Sequence, residues 1–259
     1  MKFSYTLIKK LIPGVKSKRE LIEALTMHSF EAEDAKGDAF DVSLPPNRYS
    51  DAASHWGLAR EAAAVLSIKK IKIPAVSPSA RESDFAKLRV KIADKSLCPR
   101  YSAQCFENVK VGPSPGWMQK VLEDCGLRSI NNVVDIMNYV MLETGQPLHA
   151  FDYDKLEGRD RHSKTLVVRR AKKGERVVSF DKAQYFLTPE MLVIADSRRP
   201  LAIAGIKGGI SAEVTQKTKR IVVESANFES TSIYKTSRIL NLRTDASQRF
   251  SHGLSPRLT

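Results

Sequence analysis

Apolar residues near the start of the chain recur at the three- and four-residue spacing that is typical of helices. Leu21 and Leu25 lie on one face of such a helix, and Ser17 followed by Glu20 has the spacing of a capping box. The pattern therefore predicts a helix from about residue 18 to 27. Two further elements are predicted in this part, a strand at 40–44 and a helix at 52–66.

The second part of the chain contains both helical and alternating patterns. Ser114 and Pro115 have the residue types of a helix start, Cys125 lies on the apolar face of that helix, and Gly126 ends it. Short alternating runs separated by Gly and charged turns predict a mostly antiparallel sheet. The predicted helices are 115–125, 132–143 and 230–240, and the predicted strands are 88–92, 101–109, 166–168, 177–179, 192–194, 202–204 and 221–223.

A Pro- and Ser-rich stretch without periodicity separates these two parts. It predicts a linker at 74–86 between a small N-terminal α/β domain, 1–73, and a larger mixed domain, 87–259. The fold class that follows is α+β, in which the larger domain combines a mostly antiparallel sheet with flanking helices.

Composition narrows the class of protein. Of the 259 residues, 42% are hydrophobic and 27% are charged, which excludes wholesale disorder. The 3 cysteines include no CxxC pair, which excludes a disulfide scaffold and a four-cysteine zinc site. No apolar run approaches the roughly 20 residues that cross a bilayer, and no signal peptide is recognisable. We therefore expect a soluble cytoplasmic protein with no membrane association.

Charge is the unusual feature of the composition. The formal net charge is +13, and residues 155–220 carry 16 Lys and Arg against 7 Asp and Glu. A basic stretch inside a folded region attracts phosphate backbones and speeds their encounter. The charge favours a nucleic-acid partner over the alternative, a basic soluble surface without a partner.

Few side chains stand out as candidates for chemistry. His149 follows the helix predicted at 132–143, on an expected loop, where an imidazole is as often structural as functional. Glu224 ends an apolar strand, and solvent is the favoured direction for such a carboxylate. Thr244 could form a pocket wall, but a helix cap is favoured.

Two classes of site are excluded by spacing. No HExxH or other paired metal-ligand spacing is present, so we expect no metal site. The glycines at 205–209 follow a strand but lack the GxxxxGK[ST] pattern of a phosphate loop. They predict a tight turn in which small residues let other groups approach the backbone.

Ten short motifs stand out along almost the whole chain. Three of them are GQPLHAFD at 145–152, ESANF at 224–228 and LRTDAS at 242–247. The others lie at 44–48, 54–61, 98–101, 131–136, 138–143, 204–205 and 208–209. In this order they together resemble the N-terminal part of the bacterial phenylalanyl-tRNA synthetase beta-subunit family.

The resemblance implies an (αβ)₂ tetramer that joins phenylalanine to tRNA(Phe) with ATP and Mg²⁺, with aminoacylation on the alpha subunit. The beta subunit's central domains, matching about residue 88 onward, would hydrolyse tyrosine wrongly attached to that tRNA. On this basis we expect tRNA(Phe) and an alpha subunit as partners, no DNA, and no cofactor in this chain itself.

The resemblance also implies roles for individual residues. Glu224 falls on the acceptor of the tyrosyl hydroxyl, and His149 on the histidine that orients the ester or the attacking water. The substrate-binding positions that it implies are Asn138, Gly205, Thr244, Ala246 and Met137.

Three departures from the family pattern bear on these roles. Met137 stands where a threonine is usual, and a thioether is bulkier and donates no hydrogen bond. Lys207 replaces an apolar residue in the 204–209 turn. The tRNA-binding oligonucleotide-fold insert is missing, since only Glu31 to Asp38 spans its position, and we expect a subunit truncated at its C-terminal end.

Two other functions remain open from the sequence. A non-catalytic tRNA-binding or assembly module would fit Met137 and the missing insert. A freestanding aminoacyl-tRNA deacylase acting in trans would fit the short chain.

Overall fold

The computed structural model describes residues 1–72, 88–158 and 163–259. They form two units. The first contains residues 1–72 and 113–146, and the second contains residues 88–112, 147–158 and 163–259. Residues 113–146 therefore belong with the first unit, not with the larger domain as predicted. The predicted linker, 74–86, lies outside the described residues.

The described residues form eight helices and thirteen strands. The helices are α1 (Tyr5–Leu11), α2 (Lys18–His28), α3 (Tyr49–Ala52), α4 (His55–Val65), α5 (Gly116–Asp124), α6 (Asn132–Thr144), α7 (Ser230–Ile239) and α8 (Asp245–Ser251). The strands are β1 (Lys2–Ser4), β2 (Ala32–Asp34), β3 (Ala39–Val42), β4 (Leu88–Ile92), β5 (Arg100–Phe106), β6 (Leu148–Asp152), β7 (Lys164–Arg170), β8 (Arg176–Val178), β9 (Gln184–Phe186), β10 (Leu192–Ala195), β11 (Pro200–Ile203), β12 (Lys207–Gly208) and β13 (Ile221–Asn227).

The first unit surrounds a small antiparallel sheet with the strand order β1-β3-β2. The helix predicted at 18–27 is confirmed as α2, and the Ser17 hydroxyl accepts from the Glu20 backbone N–H at 3.1 Å. The helix predicted at 52–66 is divided into α3 and α4. Ser54 has extended backbone and caps α4, so the chain cannot continue as one helix.

Helix α6 joins the first unit through a buried histidine. The backbone N–H of Ser4 donates to Nε2 of His55 at 2.9 Å, and Nδ1 of the same ring lies 2.8 Å from the carbonyl oxygen of Leu142 on α6. Gly145 ends α6 with φ +88, beside Ser54. The amphipathic pattern of residues 113–146 predicts helices with an apolar face, but it does not indicate which core that face joins.

The second unit contains two larger sheets and a hairpin. One sheet has the order β12-β11-β10-β7-β4, in which only β4 and β7 are parallel among the described strands. The other is antiparallel, with β13 between β5 and β6. Their shared core includes Phe151, Leu166, Val168, Leu201 and Val222. The predicted fold class, α+β with a mostly antiparallel sheet, is confirmed.

The length and hydropathy of the helices bear on membrane insertion. Among the residues that the structure describes, no helix is both long and apolar enough to traverse a bilayer.

Candidate functional site

Strand β13 places Glu224 directly opposite His149 on β6. Directly paired residues of an antiparallel sheet point to the same face, with their Cβ atoms about 5 Å apart. The expectation that His149 lies on a loop is wrong, because residues 148–152 pair with β13 along their whole length. Two side chains that are far apart in sequence therefore meet through strand register.

A cavity of about 80 Å³ lies beside this pair and opens to solvent. Four residues predicted to bound such a cavity line it: His149, Gly205, Glu224 and Ala246. The other lining residues are mostly apolar, and they are Pro147, Leu148, Ile194, Ala202, Ile203, Ile206, Lys207, Gly208 and Phe250. The wall is thus apolar with a few polar groups, which is the usual make-up of a small-molecule site.

The carboxyl group of Glu224 is buried, with 5% of the residue exposed. The solvent-facing orientation favoured by its strand-end position is therefore wrong, since β13 continues to Asn227 and pairs on both sides. Burial raises the pKa of Glu224 to about 8, although a hydrogen bond from Tyr101 acts in the opposite direction. At pH 7 this carboxyl is mainly neutral and can both donate and accept a hydrogen bond.

The imidazole of His149 is neutral as well. Burial lowers its pKa to about 4. The ring meets the edge of Phe151 at a centroid distance of 4.6 Å and an interplanar angle of 75°. On its other side lies Gly208, where an added Cβ would be 2.6 Å from Cε1 of His149 and 3.0 Å from Nε2. The ring fits only because residue 208 has no side chain.

The glycine turn closes one side of the cavity. Gly205 has φ +68, and a Cβ there would lie 2.9 Å from the rings of Phe228 and Phe250. The tight turn predicted at 205–209 is confirmed. Lys207 in this turn also lines the cavity, and its Nζ lies 3.7 Å from Asp181.

Helix α8 supplies Ala246 to the wall. Thr244 caps this helix, as favoured from the sequence, because its hydroxyl oxygen accepts from the Ser247 backbone N–H at 3.0 Å. The same hydroxyl donates to the Ile206 carbonyl oxygen at 3.1 Å. Thr244 is not among the lining residues, but it is hydrogen-bonded to Ile206, which is one of them.

Met137 and Asn138 lie on α6, in the first unit. Neither is among the lining residues of the cavity. Their assignment to the substrate site stays a prediction that depends on the resemblance.

One polar residue of the site was missed from the sequence. Tyr101 donates its hydroxyl to Oε2 of Glu224 at 2.8 Å. The sequence clue to this role was that Tyr101 belongs to the motif at 98–101. The structure adds the register of β5 and β13, in which Ala103 pairs with Glu224. Alternation then puts Tyr101, two residues away, on the same face.

Metal ligands are not grouped in the described part of the chain. Residues 1–72, 88–158 and 163–259 contain no set of three or more His, Cys, Asp or Glu side chains that could hold an ion.

Comparison with known proteins gives the family. The family model described as the B3/4 domain matches residues 97–259. The chain belongs to the B3/4 domain family. The match covers more than half of the chain and includes β5, β6 and β13, the strands that form the Glu224–His149 pair.

Curated relatives extend the likeness beyond this B3/4 domain. The phenylalanine–tRNA ligase beta subunit of Moorella thermoacetica is 48% identical over 215 residues, which cover 83% of this chain and 26% of that protein. The beta subunit of Syntrophus aciditrophicus is 45% identical over 225 residues, 86% of this chain and 27% of that protein. The predicted resemblance is confirmed, and the chain spans about a quarter of the length of these relatives.

A solved structure shows a looser likeness. An N-terminal fragment of the phenylalanyl-tRNA synthetase beta subunit from Pyrococcus horikoshii covers 96% of this chain and 73% of its own, with a TM-score of 0.46 and 16% identity. This likeness is too low to support a conclusion.

Proposed function

We propose that this chain is the editing part of a phenylalanine–tRNA ligase beta subunit and hydrolyses the ester of Tyr-tRNA(Phe). The observation that carries the proposal is the meeting of Glu224 and His149 at one cavity through the register of β13 and β6. The B3/4 domain and the curated relatives support it.

Glu224 accounts for a preference for tyrosine over phenylalanine. An apolar pocket rejects an isostere with an added hydroxyl by only about 10²-fold, so a synthetic site for phenylalanine admits some tyrosine. A buried group that bonds the hydroxyl reverses this preference, because a phenylalanyl ester would leave the Glu224 carboxyl without its partner. Such a site can discriminate by about 10⁴-fold or more.

His149 is suited to hold water rather than to act as a strong base. With a pKa of about 4 it stays neutral at physiological pH and accepts or donates a hydrogen bond. In the proposed step, the oxygen of a water molecule attacks the ester carbon, the bond to the ribose oxygen breaks, and that oxygen takes up a proton. His149 lowers the barrier mainly by orienting the water or the ester.

The size of the cavity limits how the substrate binds. An enclosed apolar cavity of ~150 Å³ holds benzene, whereas this cavity measures about 80 Å³ and is open on one side. The hydroxyl end of a tyrosyl ring would therefore lie inside, near Glu224, and the ester would lie towards the open side.

Aminoacylation and the assembly that carries it out would involve the whole synthetase. We propose tRNA(Phe) and the alpha subunit as partners in an (αβ)₂ assembly in the cytoplasm. ATP and Mg²⁺ would act in aminoacylation on the alpha subunit. The described residues contain no cluster that fits a metal ion, and the hydrolysis proposed above uses neither group.

The test is deacylation of Tyr-tRNA(Phe) by the purified chain, alone and with an alpha subunit. We expect release of tyrosine to exceed release of phenylalanine from Phe-tRNA(Phe). Glu224→Ala should abolish this preference, and His149→Ala should slow hydrolysis of both esters by about tenfold or more. The assignment fails if both variants deacylate Tyr-tRNA(Phe) as fast as the wild type.

A second candidate is a tRNA-binding or assembly module without hydrolysis. The small cavity volume and the excess of positive charge favour it. It requires salt-sensitive tRNA binding with no deacylation at any protein concentration, with or without an alpha subunit. Deacylation by the chain alone would instead indicate an enzyme that can act in trans.

A further inference from the structure

The hydrogen bond between Tyr101 and Glu224 joins two strands inside the second unit. Tyr101 lies on β5 and Glu224 on β13, and the distance from Oη to Oε2 is 2.8 Å. Among the described residues, this is the one hydrogen bond of the Glu224 carboxyl. Oε2 is therefore occupied, and Oε1 is the oxygen left for a ligand in the cavity that Glu224 lines.

We propose that Tyr101 is the positioning residue for tyrosine specificity, because its hydroxyl fixes Glu224 with Oε2 as an acceptor and leaves Oε1 to meet the hydroxyl of the bound ring. The inference rests on the proposed function, since it concerns how the editing site would recognise its substrate. In this arrangement Oε1 would carry the proton of the neutral carboxyl, because Oε2 accepts the hydrogen bond from Tyr101.

The Tyr101 hydroxyl donates to Oε2 in the structure. Burial and the nearby carboxyl raise the pKa of Tyr101 well above its ordinary value of 10, so its hydroxyl keeps its proton. The same bond favours the charged form of Glu224, and burial outweighs it. Loss of the Tyr101 hydroxyl should therefore raise the pKa of Glu224 further above about 8.

Few other titratable groups surround this carboxyl. His149 faces it from β6, and Cys98, which precedes β5, interacts with it electrostatically. Lys207 on β12 lines the same cavity and is paired with Asp181. Burial raises the pKa of Cys98 to about 12, so this thiol stays neutral and does not compete with Tyr101 for Glu224.

The experiment uses the full chain in three forms: wild type, Tyr101→Phe and Tyr185→Phe. Tyr185 is partly buried in the same unit, and its hydroxyl makes no hydrogen bond with a described residue, so Tyr185→Phe is the matched loss of a hydroxyl. Binding of L-tyrosinamide and L-phenylalaninamide is measured by calorimetry from pH 6 to 9.5. kcat and KM are measured with Tyr-tRNA(Phe) and Phe-tRNA(Phe).

We expect Tyr101→Phe to reduce the preference for tyrosinamide over phenylalaninamide by about tenfold, the usual effect of one hydrogen bond in a buried site. The weaker recognition of tyrosine should raise KM for Tyr-tRNA(Phe) and leave kcat little changed. The preference should be lost as Glu224 ionises, and the pH of this change should be higher in Tyr101→Phe than in the wild type. Tyr185→Phe should behave as the wild type. If Tyr101 had only a structural role, its loss would weaken the binding of both ligands equally and would not shift the pH at which the preference changes.

The results separate this inference from the proposed function. If the wild type prefers tyrosinamide and Tyr101→Phe does not, the inference stands even when no deacylation occurs, and only the hydrolytic function fails. If Tyr101→Phe keeps the full preference, or if the wild type shows none, the inference is overturned whatever the deacylation rate.

A second variant tests the proton on Oε1. Glu224→Gln can accept from Tyr101 through its carbonyl oxygen and present an amide N–H to the cavity, as the neutral carboxyl would present its O–H. We expect it to keep most of the preference for tyrosinamide and to lose the dependence on pH. Loss of the preference, to the level of Glu224→Ala, would overturn the placement of the proton.

Discussion

Gly208 lets the ring of His149 approach the backbone of β12. A Cβ at this position would lie closer to Cε1 and Nε2 of the imidazole than van der Waals contact allows. The ring position thus depends on a residue that contributes no side chain.

We expect Gly208→Ala to displace His149 and to reduce deacylation of Tyr-tRNA(Phe) by about 10- to 100-fold, since a shift near 1 Å can have an effect of this size. Gly112→Ala is the control, because nothing lies within 4 Å of a Cβ at that position. Equal rates for both variants and the wild type would show that the imidazole position does not matter for hydrolysis.

Glu224 and His149 should affect stability with opposite dependence on pH. The folded state holds the Glu224 proton up to pH about 8, whereas the unfolded state releases it near 4.5, so this group makes stability fall as pH rises between these values. The folded state binds a proton at His149 only below pH about 4, against 6.5 when unfolded, so this group makes stability rise with pH from 4 to 6.5.

Above pH 6.5, of these two residues only Glu224 still makes the stability depend on pH, and Glu224→Gln should remove this dependence. We expect the unfolding free energy of Glu224→Gln, relative to the wild type, to increase by about 2 kcal/mol between pH 6.5 and 8. Urea denaturation at several pH values measures this difference. A difference that is constant over this range would contradict the raised pKa.

At the scale of elements, Thr244 joins helix α8 to the glycine turn. Its hydroxyl caps the helix and also donates to the carbonyl oxygen of Ile206, so one side chain fixes two walls of the cavity relative to each other.

We expect Thr244→Ala to lower the unfolding free energy by about 1–2 kcal/mol, because it removes a cap and a second hydrogen bond. Thr244→Ser retains the hydroxyl and should lose much less. Urea denaturation of both variants at one pH is the measurement, and an equal loss for Ser and Ala would show that the methyl group, not the hydroxyl, matters.

Local signals account for the elements that the sequence predicted well. Ser17 and Asn131 cap α2 and α6 through their own side chains, and Gly145 ends α6 in the left-handed region. These interactions span a few residues, so they are visible in the sequence.

Strand β6 and the division into units could not be predicted in the same way. Residues 148–152 have no clear alternation, and their pairing partner is β13, far along the chain. The grouping of α5 and α6 with the first unit depends on contacts such as that between His55 and Leu142. Such long-range contacts leave no periodic trace, which is also why Tyr101 was missed as the partner of Glu224.

At the scale of the whole molecule, positive charge is the dominant property. Some basic side chains at 155–220 are already paired, because Arg169, Arg199 and Arg220 form ion pairs with acidic residues. Lys172 and Lys173 are exposed, as are Lys69 and Lys70 in the first unit. The two lysine pairs allow a comparison at equal change in net charge.

We expect tRNA affinity to fall as the salt concentration rises. In Lys172→Gln/Lys173→Gln the slope of log K against log[salt] should become shallower by about 1.5, since each phosphate contact contributes about 0.7–0.9 to its magnitude. Lys69→Gln/Lys70→Gln should leave the slope unchanged. Filter binding at several salt concentrations measures both. Equal changes in the two double variants would indicate that net charge, not the 155–220 region, controls binding.

The central position of β13 has a consequence for how the chain folds. Tyr101 and Glu224 are separated by 123 positions, and contacts of such large sequence separation form slowly because a long loop must close first. On the ribosome, the earlier strands β5 and β6 emerge without the strand that lies between them. The pairing of Glu224 with His149 and its hydrogen bond with Tyr101 can therefore form only after β13 has left the exit tunnel and inserted between its neighbours.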